Sequence, residues 1–312
     1  MATGFGQMTL KHCTRLLHAS ITNAMASTKQ EESPRSYHPP FDSQDADIVL
    51  RSTGGTYYRI PSFTLRNTSG FFRTMLSLPQ NGDTQKDDPI PINEKDGVLE
   101  RVLRMISGLE TPKWESFDEV DDVLSLVENW DTPGPLAIIR SAITSPLFLA
   151  DPLRLYVIAT HFEWEEEAKL ASKYTLSLSL HDDEYQAVLQ RLSAKHLLAL
   201  LTFHRKRRDL FKRFIDSEEP FNAGNANPYH CQGCGEETDN HTWRELKAKI
   251  YLEMDQRPLG DTLCGLDMEE WPESVACWSA KCKKEGCGKL NYNKATTLRD
   301  IKAGIERLPS TI

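Results

Sequence analysis

Hydrophobic and polar positions change rhythm several times along the chain. Two runs rich in β-branched and aromatic residues, Ile48-Val49-Leu50 and Tyr57-Tyr58-Arg59-Ile60, flank Gly54-Gly55, which is the pattern of a β-hairpin. Helical spacing follows in Phe63, Leu65, Phe71, Phe72, Met75 and Leu76, interrupted at Asn67-Thr68-Ser69-Gly70. That predicts a short helix, a turn with Ser69 as N-cap, and a second helix, with Phe71, Phe72 and Met75 holding the fold together. A polar loop over 79–88 then leads to a short strand at 90–92.

From Asn93 to Ile215 the pattern is mostly helical. Val98, Leu99, Val102, Leu103 and Ile106 mark one apolar face; Phe117, Val120, Leu124 and Val127 mark another, whose Asp118, Glu119, Asp121 and Asp122 read as a solvated side. Pro133 and Pro135 bracket a break, after which helices are expected near 136–143, 152–160, 165–174, 182–192 and 194–215. In the last of these Leu200, Leu201, Phe203, Leu210 and Phe211 face inward. The run His204-Arg205-Lys206-Arg207-Arg208, with Lys212 and Arg213, then forms its solvated side; a nuclear-import signal or an anion-binding face is the sharper alternative. Trp243, Leu246, Ile250 and Met254 define one face of a further helix ending before Pro258.

Composition narrows the class. With 312 residues, 39% hydrophobic and 26% charged, the chain has the makeup of a globular protein of two domains. No apolar run approaches the ~20 residues of a membrane-spanning helix, and no secretory leader is visible, so an intracellular location, cytoplasmic or nuclear, is expected. Residues 1–30 contain Lys11, Arg15 and Lys29 but no acid and superficially resemble a transit peptide. The plainer readings are a disordered tail, or a true start at Met25. Residues 26–44, with Pro34, Pro39 and Pro40, read as a linker. A net charge of −8 argues against nucleic acid as a partner.

Catalytic signals are missing from the sequence: it has no Walker-type phosphate loop, no Gly-x-Ser-x-Gly elbow and no glycine fingerprint after a strand. The acidic groups Glu165-Glu166-Glu167 and Asp87-Asp88 read as surface, and His161 and His196 as structural histidines. A non-enzyme is the expectation.

Candidate chemistry concentrates in the cysteines, six of whose seven lie between Cys231 and Cys287. Cys231-Gln232-Gly233-Cys234-Gly235 has the C-x-x-C spacing and glycines of a zinc knuckle, and Cys282 and Cys287, followed by Gly288, supply a second pair. Cys231, Cys234, Cys282 and Cys287 would together close a tetrahedron around one structural zinc ion, with the lysines near Cys282 offsetting its negative charge. Cys277, His230 and His241 are alternative ligands, and Cys264 stands apart. The competing reading is that small cysteines simply pack a helical core. The helix from Trp243 to Met254 would link the halves of the site, making metal binding part of folding.

Residues 45–107 carry a family resemblance. Asp45-Ala46-Asp47-Ile48-Val49-Leu50 leading to Ser69-Gly70-Phe71-Phe72-Arg73-Thr74-Met75-Leu76 resembles a BTB/POZ domain. The chain is similar in particular to BTB proteins abundant in mushroom-forming fungi, through Tyr37-His38-Pro39-Pro40-Phe41 and the Pro152-Leu153-Arg154-x-Tyr156-x-Ile158-Ala159 segment. The resemblance implies an α+β fold with a BTB/POZ domain over 42–135, a small sheet flanked by helices, continued by a helical extension over 136–220; the sequence itself adds a tail and linker over 1–41 and a cysteine-rich unit over 221–312. The resemblance implies a non-catalytic protein-interaction module that homodimerises or recruits a protein partner. Two departures stand out. Pro61-Ser62 replaces the family's His-Lys pair, with loss of a buried polar contact, and the loop 78–88 lacks the hydrophobic-x-Glu triplet of cullin binders. A cullin-linked ubiquitin-ligase adaptor is therefore a secondary reading, and a zinc-dependent DNA-binding regulator a third.

Overall fold

The computed structural model describes residues 35–79 and 88–312. The readings of a tail, a transit-like composition and a start at Met25 fall on residues 1–34, and most of the polar loop falls on 80–87; these lie outside the described residues.

Strand β1 (Ile48–Arg51) pairs antiparallel with β2 (Tyr57–Ile60), Ile48 opposite Ile60, and the turn between them uses Gly55 at φ +84°. On the other edge β3 (Ile90–Pro91) joins β1 in parallel, giving the order β2-β1-β3. The helix–turn–helix follows as expected: α1 (Ser62–Thr68) and α2 (Gly70–Met75) meet at Ser69. Its hydroxyl accepts from the Phe72 N–H at 3.1 Å and donates to the Trp130 carbonyl at 2.6 Å, so one cap also ties α2 to a distant helix end. Phe72 is fully buried edge-on to Trp130, at 4.9 Å between ring centroids, whereas Phe71 is 37% exposed. Of the two adjacent phenylalanines only Phe72 belongs to the core.

Pro61-Ser62 is not without a polar contact of its own. Ser62 donates through both its amide and its hydroxyl to Asp47. The linker reading also fails at its end: Tyr37 bridges to Tyr57 beside β2, a 3-10 turn covers Pro39–Phe41, His38 stacks on Tyr58 at 5.2 Å, and Phe41 is buried. Aromatic area outweighs the local proline signal here.

Helices α3 (Asp96–Ile106) and α4 (Phe117–Asn129) pack through the two expected apolar faces. The acids of α4 are not simply solvated. Arg154 bonds Asp118 at 2.8 Å and Asp121 at 2.9 Å, Arg191 bonds Asp121 at 3.1 Å, and Arg101 bonds Glu119 at 3.0 Å. The prolines 133 and 135 open α5 (Pro133–Ala142), where a missing N–H leaves no bond unmade; the break is the junction at Asp131, φ +50°. There follow α6 (Pro146–Leu149), α7 (Pro152–His161) and α8 (Glu165–Thr175). The helix expected over 182–192 is only a 3-10 turn, Asp183–Tyr185, and the single turn α9 (Gln186–Leu189). The chain leaves helical geometry there because Ser193 caps the next element, α10 (Ala194–Ile215), through the His196 N–H.

Buried side chains form two clusters. The first runs from Phe41 to Leu200, the second from Phe211 to Ile301, and α10 passes from one into the other. The second is built from α11 (Glu218–Asn225), α12 (His241–Gln256), a 3-10 turn at Asp261–Cys264, α13 (Leu266–Glu270), α14 (Pro272–Ser279) and α15 (Lys294–Glu306). The basic run of α10 departs from a solvated face exactly where the clusters meet. Arg207, 4% exposed, donates to the carbonyls of Pro258 at 2.6 Å, Pro309 at 2.7 Å and Leu259 at 3.1 Å, and His204 is buried beside Thr175. Leu259 N–H to the Leu176 carbonyl, 2.9 Å, and Arg257 to the Ser177 carbonyl, 3.2 Å, complete the seam. The architecture is mostly helical α+β, with a small mixed sheet near the start and a cysteine cluster near the end. Among the described residues no helix is long and apolar enough to cross a membrane.

Candidate metal centre

Each cysteine pair sits on a tight hairpin. In the first, His230 bridges to Glu237, the Cys231 N–H donates to the Glu236 carbonyl at 2.8 Å, and Gly235, at φ +72°, returns its N–H to the Cys231 carbonyl at 2.8 Å. The second repeats the plan: Lys281 bridges to Leu290 and the Cys282 N–H reaches the Lys289 carbonyl at 2.8 Å. Its longer C-x4-C spacing is absorbed by a turn in which the Cys287 N–H meets the Lys284 carbonyl at 3.1 Å and Gly286 takes φ +78°. The wider spacing is thus no obstacle to a knuckle.

The two hairpins bring all four sulfurs within 4.8 Å of one another. Cys231 Sγ lies 3.8 Å from Cys287 Sγ, and Cys234 Sγ 3.5 Å from Cys282 Sγ. These separations are far above the ~2.05 Å of a disulfide bond. They fit a tetrahedron of metal–thiolate bonds near 2.3 Å, whose edges are about 3.8 Å.

Electrostatics points the same way. The Gly233 N–H, against opposing burial and with help from the Cys234 N–H, holds the Cys231 thiol down at about 6. The Lys284 N–H likewise favours the Cys282 thiolate, but burial and the neighbouring sulfurs of Cys234, Cys231 and Cys287 outweigh it and push that thiol up to about 12. Four sulfurs this close cannot all ionise unaided. A divalent cation among them removes the conflict.

The alternative ligands lie elsewhere. Cys277 is buried on α14, its thiol pushed up to about 12 by burial; His230 and His241 are exposed, with His241 Nδ1 3.2 Å from Asp239. Cys264 is exposed and its sulfur faces the Leu298 carbonyl at 3.6 Å.

The helices that flank the first hairpin are tied together by a residue the sequence pattern did not single out. Asn225 uses its amide fully: Nδ2 donates to the carbonyls of Ile215, 2.8 Å, and Ser217, 2.6 Å, while Oδ1 accepts from Trp243 Nε1, 2.9 Å, and Lys247 Nζ, 2.8 Å. It joins the ends of α10 and α11 to α12. Trp243, Leu246, Ile250 and Met254 are all buried, as their spacing predicts, and Gly224 lies so close to the Trp243 ring that no side chain fits there. Asn240 Nδ2 to the Gly224 carbonyl, 2.7 Å, and Lys283 to Asp239, 2.7 Å, fasten the hairpins themselves. The segment Asn225-Ala226-Asn227-Pro228 marks a turn in sequence, but nothing in it signals that the first Asn points inward.

Compared with known proteins, the chain matches no family model and no curated sequence.

Proposed function

We propose that the chain is a non-catalytic protein-interaction module: a BTB/POZ-type N-terminal unit that self-associates or recruits a protein partner, with a C-terminal unit held by one structural zinc ion. The interaction reading is carried by aromatic surface. Phe63 on α1 is 72% exposed and Phe71 on α2 is 37% exposed, in the helix pair on which the BTB resemblance rests. Exposed aromatic side chains at the centre of a contact supply much of the binding energy of protein interfaces. Light scattering at ~10 µM, a concentration where micromolar association is visible, should give a dimer that Phe63→Asp converts to a folded monomer. A wild-type monomer at that concentration would retire the self-association half.

The zinc reading is supported by the four-sulfur geometry. Cys231, Cys234, Cys282 and Cys287 would hold the ion, which contributes folding free energy and closes its coordination shell without an open position for chemistry. Purified protein should contain stoichiometric zinc, and Cys231→Ser should lose it. Zinc-free wild-type protein with an intact C-terminal unit would sink this reading.

A further inference from the structure

The sulfur cluster carries a second chemistry, which rests on the zinc reading above. Of the two pairs that face each other across the hairpins, Cys234–Cys282 is the closer, 3.5 Å against 3.8 Å for Cys231–Cys287. Both of its cysteines are partly exposed, as is Cys287, whereas Cys231 is buried, so only the Cys234–Cys282 pair is reachable at both sulfurs. Access and proximity therefore select the same pair. We propose that Cys234 and Cys282 form an oxidation site, at which hydrogen peroxide drives a metal-for-disulfide exchange.

The step balances as follows in atoms and electrons. One thiolate of the pair attacks a peroxide oxygen, the O–O bond breaks, and the products are a sulfenic acid and hydroxide, which a solvent proton converts to water. The second thiolate attacks the sulfenic sulfur, the S–O bond breaks, and the departing hydroxide takes a second solvent proton to become a second water. Two thiolates lose two electrons and one peroxide gains them, which would leave Cys231 and Cys287 as the two remaining ligands of a bound cation, too few to retain it. The sulfurs close from 3.5 Å to the ~2.05 Å of a disulfide.

The exchange keeps the hairpins joined. The bond would link positions 48 residues apart, replacing the metal's constraint on the unfolded chain with a covalent one. Oxidised, metal-free protein should therefore hold its C-terminal unit, while reduced, metal-free protein should lose it.

The test treats the full chain, zinc-loaded and zinc-free, with hydrogen peroxide, and reads released zinc with a chromogenic chelator, crosslinks by non-reducing peptide mapping, and the melting temperature. Zinc release should parallel a Cys234–Cys282 crosslink, dithiothreitol should reverse the crosslink, and the oxidised metal-free chain should melt several degrees above the reduced one. Cys264→Ser should change nothing. Zinc retained under peroxide, or a crosslink joining another pair, overturns the proposal. A chain that never binds zinc defeats the metal reading alone, because the zinc-free arm still shows whether Cys234 and Cys282 couple.

Discussion

Asp47 holds Ser62 with both carboxylate oxygens: Oδ1 accepts the Ser62 amide and Oδ2 the Ser62 hydroxyl, each at 2.6 Å. The amide belongs to the first turn of α1, whose N–H groups have no helical partner, so a residue from just before β1 caps a helix beyond β2. Burial tends to raise the Asp47 pKa, but the Ser62 hydroxyl and amide and the charge of Arg66 outweigh it and leave it lowered. A carboxylate whose folded pKa is depressed contributes stability above its unfolded pKa and loses it as pH falls through the folded value. Asp47→Ala is expected to lower stability by about 1 kcal/mol near neutral pH, at the low end because the carboxylate is exposed. Urea titration should show the difference shrinking below pH 4.

Phe71 and Phe72 are neighbours with opposite fates. Phe72→Asp puts a charge against Trp130 in the first core and should abolish soluble folded protein. Phe71→Asp should leave the melting temperature within a few degrees of wild type. Circular dichroism of the two variants decides the assignment, and a well-folded Phe72→Asp protein would refute it.

Apolar periodicity made the helices legible because burial repeats every three to four residues, and the paired glycine-flanked cysteines made the four-sulfur cluster legible because their spacing is a local property. What stayed hidden is polar and long-range. Arg207 falls in step with Leu200, Phe203, Phe211 and Ile215, so the stripe itself places a guanidinium indoors; its charge argued otherwise because its partners are carbonyls 51, 52 and 102 residues away. Asn225 is similar, with Trp243 and Lys247 brought to it only by the packing of α12. The linker pattern of 26–44 hides the burial of Phe41, because prolines mark a turn in sequence without saying whether the turn is packed.

Arg207 should tolerate no substitute. Its planar fork answers three carbonyls from two chain segments at once, a geometry that the ammonium of lysine does not reproduce. Arg207→Lys and Arg207→Met are both expected to destabilise the chain by about 2–5 kcal/mol, since carbonyls lose their donors at a buried seam. Hydrogen exchange should quicken at 257–263 and 309–312 and along the end of α8 that meets them. Unchanged protection there would show that the two clusters are held together by other contacts.

His204 makes that seam sensitive to acid. The Thr175 hydroxyl gives its own proton to the Ser172 carbonyl at 2.7 Å, so at 3.0 Å His204 Nε2 is the donor and Thr175 Oγ1 the acceptor. Burial, with smaller contributions from His181 and Arg207, pushes the imidazole from 6.5 down to about 4. The unfolded chain therefore takes up a proton near pH 6.5 while the folded chain refuses it until about pH 4. Stability from this residue is complete above pH 6.5 and falls steadily between those values, by about 3 kcal/mol at the lower limit. His204→Gln keeps an N–H donor for Thr175 but cannot titrate. The stability difference between wild type and variant should therefore shift in the variant's favour as pH drops from 6.5 to 4, and a difference constant across that window would mean that His204 takes up its proton in the folded chain as readily as in the unfolded one.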